Sequence, residues 1–250
     1  MNLLDNLRQN AGKRLLIGGH QGHRSGDARP NTIPNFQRVT DKGLSHIEVD
    51  LQLTGDGELV VYHDLDLSEK SPLSGRIRDY TVDQLKGSFE IDTLDEVLGW
   101  CFQNDLPPAL EVKCHLLEMS AAMPLLAKRL AELLNRYRFG DFGFVFSTDY
   151  RTLRQVKELA PQTALGLIVP FVPRDPVRLM EEMQAQIYLC YLDNLSRELV
   201  DALHRGGYYA DGSVVNDEAR LRRALELGVD LVESDLPQDL ISLYGGLCGI

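Results

Sequence analysis

The chain is short of positive charge. Its 250 residues carry 26 Lys and Arg against 37 Asp and Glu, a formal net charge of −11. A surface of that sign argues against non-specific binding to nucleic acid or to an anionic membrane, and no basic stretch interleaved with aromatics opposes it. Small ligands stay open, because a local site can carry the opposite sign to the whole. Cysteine is sparse too. Cys101, Cys114, Cys190 and Cys248 are widely spaced with no CxxC, which argues against a disulfide framework or a zinc site and fits buried or free thiols in a reducing compartment. No apolar run approaches the ~18 residues of a membrane span, and the opening MNLLDNLRQNAGKR has no apolar core for a signal peptide. There is no GxGxxG after a strand and no Walker A motif, so no nucleotide cofactor is indicated. Interior linkers, low-complexity tracts and solenoid-length repeats are also missing. Together these absences favour a cytoplasmic location.

What the chain does have is enough apolar residue, 44% of the total, to bury one large core, and a single domain over residues 1–250 is expected. Short β-type runs alternate with longer amphipathic segments. Strands are predicted at Arg14–Gly19, His46–Gln52, Leu59–His63, Ala109–Lys113, Phe142–Ser147, Thr163–Ile168, Ile187–Asp193, Tyr208–Val215 and Asp230–Glu233. Helices are predicted at Ile33–Lys42, Leu94–Gln103, Ser120–Tyr137, Asp149–Leu159, Asp175–Gln186, Ser196–Arg205, Asp217–Leu227 and Pro237–Tyr244, with Thr32, Thr93, Thr148, Ser196 and Asn216 as N-caps. That alternation implies βα units around a parallel sheet, and about eight strands in this length favour a closed (β/α)₈ barrel. One long polar excursion, roughly 64–92, breaks the rhythm after the strand ending at His63. It is either a lid or substrate-selecting wall on the active face, or a plain surface loop.

The chemistry-bearing residues sit on predicted strands and at their ends: His20, Glu48-Val49-Asp50, His63-Asp64 and Glu111-Val112-Lys113. Residues two apart on a strand share a face, so Glu48 and Asp50 project together, opposite Ile47, Val49 and Leu51. Glu111 and Lys113 repeat the arrangement. Carboxylates flanked by apolar residues on a buried strand are costly without a positive partner. A hard divalent cation, Mg²⁺ or Ca²⁺, answers that need through oxygen ligands. An internal ion pair, such as Glu111 with Lys113, answers part of it. His46, His115 and His204 read as surface or packing residues, Tyr208 and Tyr209 as packing, and Glu181-Glu182 as a solvated helix face. Asp64 could orient a neighbour.

In this order the motifs resemble the glycerophosphodiester phosphodiesterase family, whose fold is the TIM barrel, over almost the whole chain. The matching stretches are His20-Gln21-Gly22, Pro30-Asn31-Thr32, Glu48-Val49-Asp50, Thr54-Gly55-Asp56-Gly57 running to His63-Asp64, Thr93-Leu94-Asp95-Glu96-Val97-Leu98, Glu111-Val112-Lys113, Val215-Asn216-Asp217 and Ser234-Asp235-Leu236-Pro237. The resemblance implies metal-dependent cleavage of a small phosphodiester substrate to an alcohol and glycerol 3-phosphate. Glu48, Asp50 and Glu111 would hold the cation, and His20 and His63 would act as general acid and base. Lys113, Gln21 and Arg24 would contact phosphate. Three positions depart from the family pattern: Gln21 replaces an Arg, Pro30 a Glu, and Ser213 a Trp. A neutral Gln offers a weaker hydrogen bond than a guanidinium fork, and Arg24 on the same loop could supply one. Registering His23-Arg24 instead of His20-Gln21 shortens the interval to Asn31; His20 is preferred because it directly follows a strand. Two other readings compete. One is a barrel that keeps the metal site but binds, or cleaves, a different diester. The other is an unrelated metal-dependent lyase or isomerase. Oligomeric state is not legible.

Overall fold

The computed structural model describes residues 2–24, 28–40, 43–114 and 122–249. The expectation for His115, and the outer ends of the helices expected to start at Ser120 and to finish at Lys42, lie outside these residues. The strands are β1 (Leu16–Gly19), β2 (His46–Leu53), β3 (Leu59–Val61), β4 (Pro108–Val112), β5 (Phe144–Ser147), β6 (Ala164–Ile168), β7 (Ile187–Leu189), β8 (Tyr209–Asp211) and β9 (Leu231–Ser234). Eight of them, all but β3, are parallel. They run in the order β1-β9-β8-β7-β6-β5-β4-β2, and a β1–β2 pairing closes the ring. This is the (β/α)₈ barrel. Around it lie α2 (Ile33–Gln37), α4 (Leu94–Gln103), α5 (Met123–Arg136), α6 (Tyr150–Leu159), α7 (Pro176–Met183), α8 (Arg197–Arg205), α9 (Glu218–Leu227) and α10 (Pro237–Cys248). α1 (Leu3–Asn10) precedes the ring, and α3 (Val82–Lys86) belongs to the excursion.

Strand alternation divides the core in two. Ile47, Val49, Leu51 and Leu53 of β2 pack outward among helix residues such as Phe36, Val97, Leu98 and Leu126. The opposite row points into the barrel. Its lower part is filled by Leu16, Ala109, Phe144, Phe146, Ala164, Ile187, Leu189 and Leu231. Leu3, Leu4 and Leu7 join that cluster, so the apolar face of α1 plugs the end where the strands begin. Two backbone bonds fix the plug, from Leu3 N–H to Phe142 O (3.0 Å) and from Leu4 N–H to Asp141 O (3.2 Å). Gly18 is required beside it, because a Cβ there would lie 2.3 Å from Nε2 of the His46 ring.

The expected strand ending at His63 forms, but it is not a barrel strand. β3 runs antiparallel to β2, with Leu53 opposite Leu59 and Leu51 opposite Val61. Pairing with the edge of β2 returns the chain toward the barrel, so Tyr62 arrives level with Asp50, its N–H bonded to Asp50 O (3.0 Å), and His63 follows directly. The excursion that follows has its own apolar cluster of Val60, Tyr62, Leu67, Ile77, Leu85 and Ile91. Arg29 ties it to the loop before α2 by lying 4.9 Å from the Tyr62 ring and 4.4 Å from that of Phe89. Three caps differ from expectation. Asp149 and Asp217 cap α6 and α9 in place of Thr148 and Asn216. Thr32 makes no side-chain cap, and Asp92 Oδ2 accepts from the Ile33 N–H instead (2.7 Å). In each case a carboxylate, the stronger acceptor for a helix N-terminus, has taken the role. Thr93 and Ser196 cap as expected.

Truncating the plug tests its part in closing the barrel. Leu7→Ala is expected to lower the unfolding free energy by about 2–5 kcal/mol, read by urea denaturation. Ala substitution at the exposed Gln9 on the same helix should change it by less than about 0.5 kcal/mol.

Candidate active site

The inward row of β2 reads His46, Glu48, Asp50, Gln52, all buried. Each member has a separate task. Glu48 Oε2 accepts from the Gln21 N–H (2.9 Å). Asp50 Oδ2 accepts from Asn31 Nδ2 (2.6 Å), while its Oδ1 lies 2.8 Å from Lys113 Nζ. Gln52 donates to the carbonyls of Tyr62 and Asp64, both at 2.9 Å, and so grips the turn that carries His63. Gln21 and Asn31 both have left-handed backbones, φ 54° and 62°, and a hydrogen bond from Asn31 N–H to Gln21 O (3.0 Å) joins them. Two residues thus hold a disfavoured conformation beside the two carboxylates they orient, as strain at a working site tends to be placed.

Glu111 on β4, next to β2, completes an acidic cluster. Glu48, Asp50 and Glu111 each present an oxygen, and these atoms lie within 4.8 Å of one another. Lys113 Nζ sits 3.0 Å from Glu111 Oε1, so the internal ion pair considered from sequence is formed and extends to Asp50. With all three carboxylates ionised, one ammonium would leave two negative charges. Burial, then the neighbouring Asp50, Glu233 and Glu111, push the Glu48 carboxyl well above its ordinary range. Burial also raises Glu111. Burial alone would depress Lys113, but Asp50, Glu111 and Glu48 outweigh it and raise it. Glu48 Oε1 is buried with no partner. An orphaned, desolvated oxygen in a site that would then carry two uncompensated charges fits a divalent cation.

The two histidines flank this cluster in matching environments. His20 Nδ1 lies 2.7 Å from Asp235 Oδ1, and Asn216 Nδ2 donates to Asp235 Oδ2 (2.7 Å). Burial would raise Asp235, yet the bonds from His20 and Asn216 hold its carboxyl down at about 2. His63 Nδ1 lies 2.7 Å from Asp64 Oδ1, whose other oxygen meets Lys70 Nζ at 2.7 Å. A carboxylate at Nδ1 fixes the tautomer with its proton there and leaves Nε2 for the substrate.

His20, Glu48, Glu111, Glu233 and Ser213 line one arm of a cleft, about 140 Å³. His63, Asp64, Glu69, Glu111 and Lys113 line the other, about 380 Å³. Glu111 stands in both. The excursion therefore forms a wall of the cleft. His23 instead hands its N–H to Asn35 Oδ1 (2.7 Å) and lines neither arm. Arg24 reaches Asp235 Oδ1 at 3.3 Å. Gln21 is 2% exposed, with its amide nitrogen buried and unpartnered, and it lines neither arm.

Several residues were not foreseen. Asp235 and Asn216 lie in motifs that the sequence displays, but their contacts depend on β1, β8 and β9 meeting at one end of the barrel. Of the two readings open for His46, surface or packing, the structure supports packing. It lies inside the barrel, 3.7 Å from Glu233 Oε1, and burial lowers it to about 4. Glu233 is raised to about 7, chiefly by burial, and burial also raises Asp211, which is bonded to Ser213, well above its ordinary range. His204 pairs with Asp230 at 2.8 Å, away from the cleft.

Comparison with known proteins places this arrangement. The model of the glycerophosphoryl diester phosphodiesterase family matches residues 20–239. The chain belongs to that family. Its class, a phosphodiester hydrolase, follows from the membership. A glycerophosphodiester phosphodiesterase of Caldanaerobacter subterraneus subsp. tengcongensis is 27% identical over 242 residues, covering 92% of this chain and 98% of that protein. An Oleispira antarctica phosphodiesterase, solved with its product sn-glycerol-3-phosphate, superposes with a TM-score of 0.82 at 24% identity, covering 91% of this chain and 96% of the other. A glycerophosphodiester phosphodiesterase from Parabacteroides distasonis gives 0.81 at 19% identity, covering 94% and 98%.

The grip on the His63 turn can be tested apart from the reacting groups. Gln52→Leu removes the donors that hold residues 62–64. A displacement on the order of 1 Å at a reacting group costs up to ~10²-fold. The variant is expected to lose about 10–100-fold in kcat with KM nearly unchanged, in steady-state kinetics on a glycerophosphodiester.

Proposed function

We propose that the protein hydrolyses small glycerophosphodiesters to an alcohol and glycerol 3-phosphate with the help of a divalent cation, Mg²⁺ or Ca²⁺. The observation that carries this reading is the pair of histidines, each backed at Nδ1 by a carboxylate, standing on either side of a three-carboxylate cluster. Glu48, Asp50 and Glu111 would hold the cation, whose contribution when bound is to polarise a phosphoryl oxygen. Lys113, fixed between Asp50 and Glu111, puts a permanent positive charge beside the phosphate. Arg24 adds a guanidinium from the His20 side. Gln21 could reach phosphate only by turning its unpartnered amide toward the cleft.

One histidine takes the proton of the attacking hydroxyl, which belongs to water or to the substrate itself, as the new oxygen–phosphorus bond forms. The other gives a proton to the departing alkoxide as its bond to phosphorus breaks. Asp235 and Asp64 keep the two rings aimed and stabilise them while they carry charge. If a substrate hydroxyl attacks first, water opens the cyclic diester with the two roles exchanged. The net reaction adds one water across one phosphorus–oxygen bond. Among the described residues no helix is long and apolar enough to cross a membrane, and the cysteines Cys101, Cys114, Cys190 and Cys248 are all unpaired. The unpaired cysteines support a cytoplasmic setting.

³¹P NMR of glycerophosphocholine with the purified protein tests the assignment. A glycerol 3-phosphate signal should grow with Mg²⁺ or Ca²⁺ and stop on chelation. His20→Ala and His63→Ala should each slow it about 10²–10⁴-fold without a large fall in melting temperature. Undiminished turnover in either variant would remove that histidine from the mechanism.

A further inference from the structure

The two arms of the cleft differ in kind. The His63 arm is polar, with Asp64, Asp66, Glu69, Lys113 and Thr148 on its walls. The His20 arm keeps polar groups only on its floor and at Ser213, and its remaining walls are Phe146, Ile168, Val169, Pro170, Leu189 and neighbouring apolar residues. At the lining residue Tyr191, and directly after the lining residue Pro170, the chain exposes large apolar side chains. Phe171 is 84% exposed, Val172 52% and Tyr191 65%. They stand on two loops that are tied together, because Asn194 Nδ2 donates to Pro170 O (3.0 Å) and Val169 N–H to Leu189 O (2.8 Å). Scattered exposed apolar residues are ordinary, but a group of them continuous with a cavity marks a binding surface.

We infer that the substrate carries an alkyl or acyl chain on one limb of its phosphodiester, and that this chain runs from the His20 arm out over Phe171, Val172 and Tyr191 while the polar limb lies against His63. The inference rests on the phosphodiesterase reading of the site. It follows from continuity: the arm that holds the chain also contains His20, Glu48 and Glu111, so its occupant is joined to the reacting phosphate. A membrane surface is the poorer occupant, because the net charge of −11 repels anionic lipid. A single-chain glycerophospholipid in solution meets no such barrier, and its two limbs match the two arms.

A chain-length series separates this inference from the reading beneath it. The probes are glycerophosphocholine and its 1-butanoyl, 1-hexanoyl and 1-octanoyl esters, all kept monomeric, with phosphomonoester release followed by ³¹P NMR. kcat/KM is expected to rise by up to about fourfold per buried methylene, mainly through KM, until the arm and rim are covered. Phe171→Ser combined with Val172→Ser should flatten that rise. Phe171 and Val172 are exposed, so the fold should survive, and an unchanged melting temperature would confirm it. Hydrolysis of glycerophosphocholine with a flat or falling series would overturn the inference and leave the phosphodiesterase reading standing. So would a flat series together with concentration-dependent dimerisation that the double variant abolishes, which would make the rim a contact between copies. No metal-dependent release from any member would overturn both.

Discussion

Everything at the open end of this barrel answers to one constraint: Glu48, Asp50 and Glu111 are placed together where water cannot reach them easily. Three carboxylates on two adjacent strands repel one another, and burial adds to the cost. The surroundings are built to offset it. Lys113 lies between Asp50 and Glu111, Asn31 also holds Asp50, the Gln21 N–H holds Glu48, and Asn31 and Gln21 both adopt left-handed backbones to do so. The compensation is incomplete, and the shortfall is what suits the cluster to the proposed divalent cation better than to a structural ion pair.

The histidines show a second use of the same economy. Neither is placed by its own strand alone. His20 leaves β1 but is aimed by Asp235, which follows β9, and by Asn216, which follows β8. His63 is delivered by an antiparallel strand added to the edge of β2 and gripped by Gln52 from the same inward row that supplies the acids. One strand, β2, therefore sets two of the three clustered carboxylates and the position of one histidine. The excursion attached there has its own small core and supplies Lys70, which backs Asp64.

Much of this was legible before any coordinates. Period-two alternation put Glu48 and Asp50 on one face, and residues with a strong local signature, such as Thr93 with Glu96 at the start of α4, were assigned correctly. The readings that failed needed information that sequence does not carry. A run such as Leu59–His63 reads as a strand but says nothing of its direction, so β3 looked like a barrel strand. Thr148 and Asn216 are good caps, and the adjacent Asp149 and Asp217 are better. For His46 the choice between surface and packing stayed open, and only the closed ring, with Gly18 opposite it, decides for packing. α1 is short, and its N-cap Asn2 makes no side-chain cap bond, so its role as a plug emerges only from the open end it fills. Glu233 and Asp211 sat on predicted strands, but a lone acid on a strand does not announce that it lies beneath a site.

The central claim is that the acidic cluster is destabilising by itself and is completed by a divalent cation. The most direct measurement is thermal unfolding of the wild type and of Glu48→Gln, in chelator and then with rising Mg²⁺ or Ca²⁺. A ligand bound only by the folded state stabilises it by about 2.7 kcal/mol at 100 times its Kd. The account predicts that Glu48→Gln melts at a higher temperature than wild type in chelator, because it removes a buried carboxylate, and that the cation raises the wild type while leaving the variant nearly unmoved. Equal responses of the two proteins to the cation, or a wild type indifferent to both ions, would contradict it.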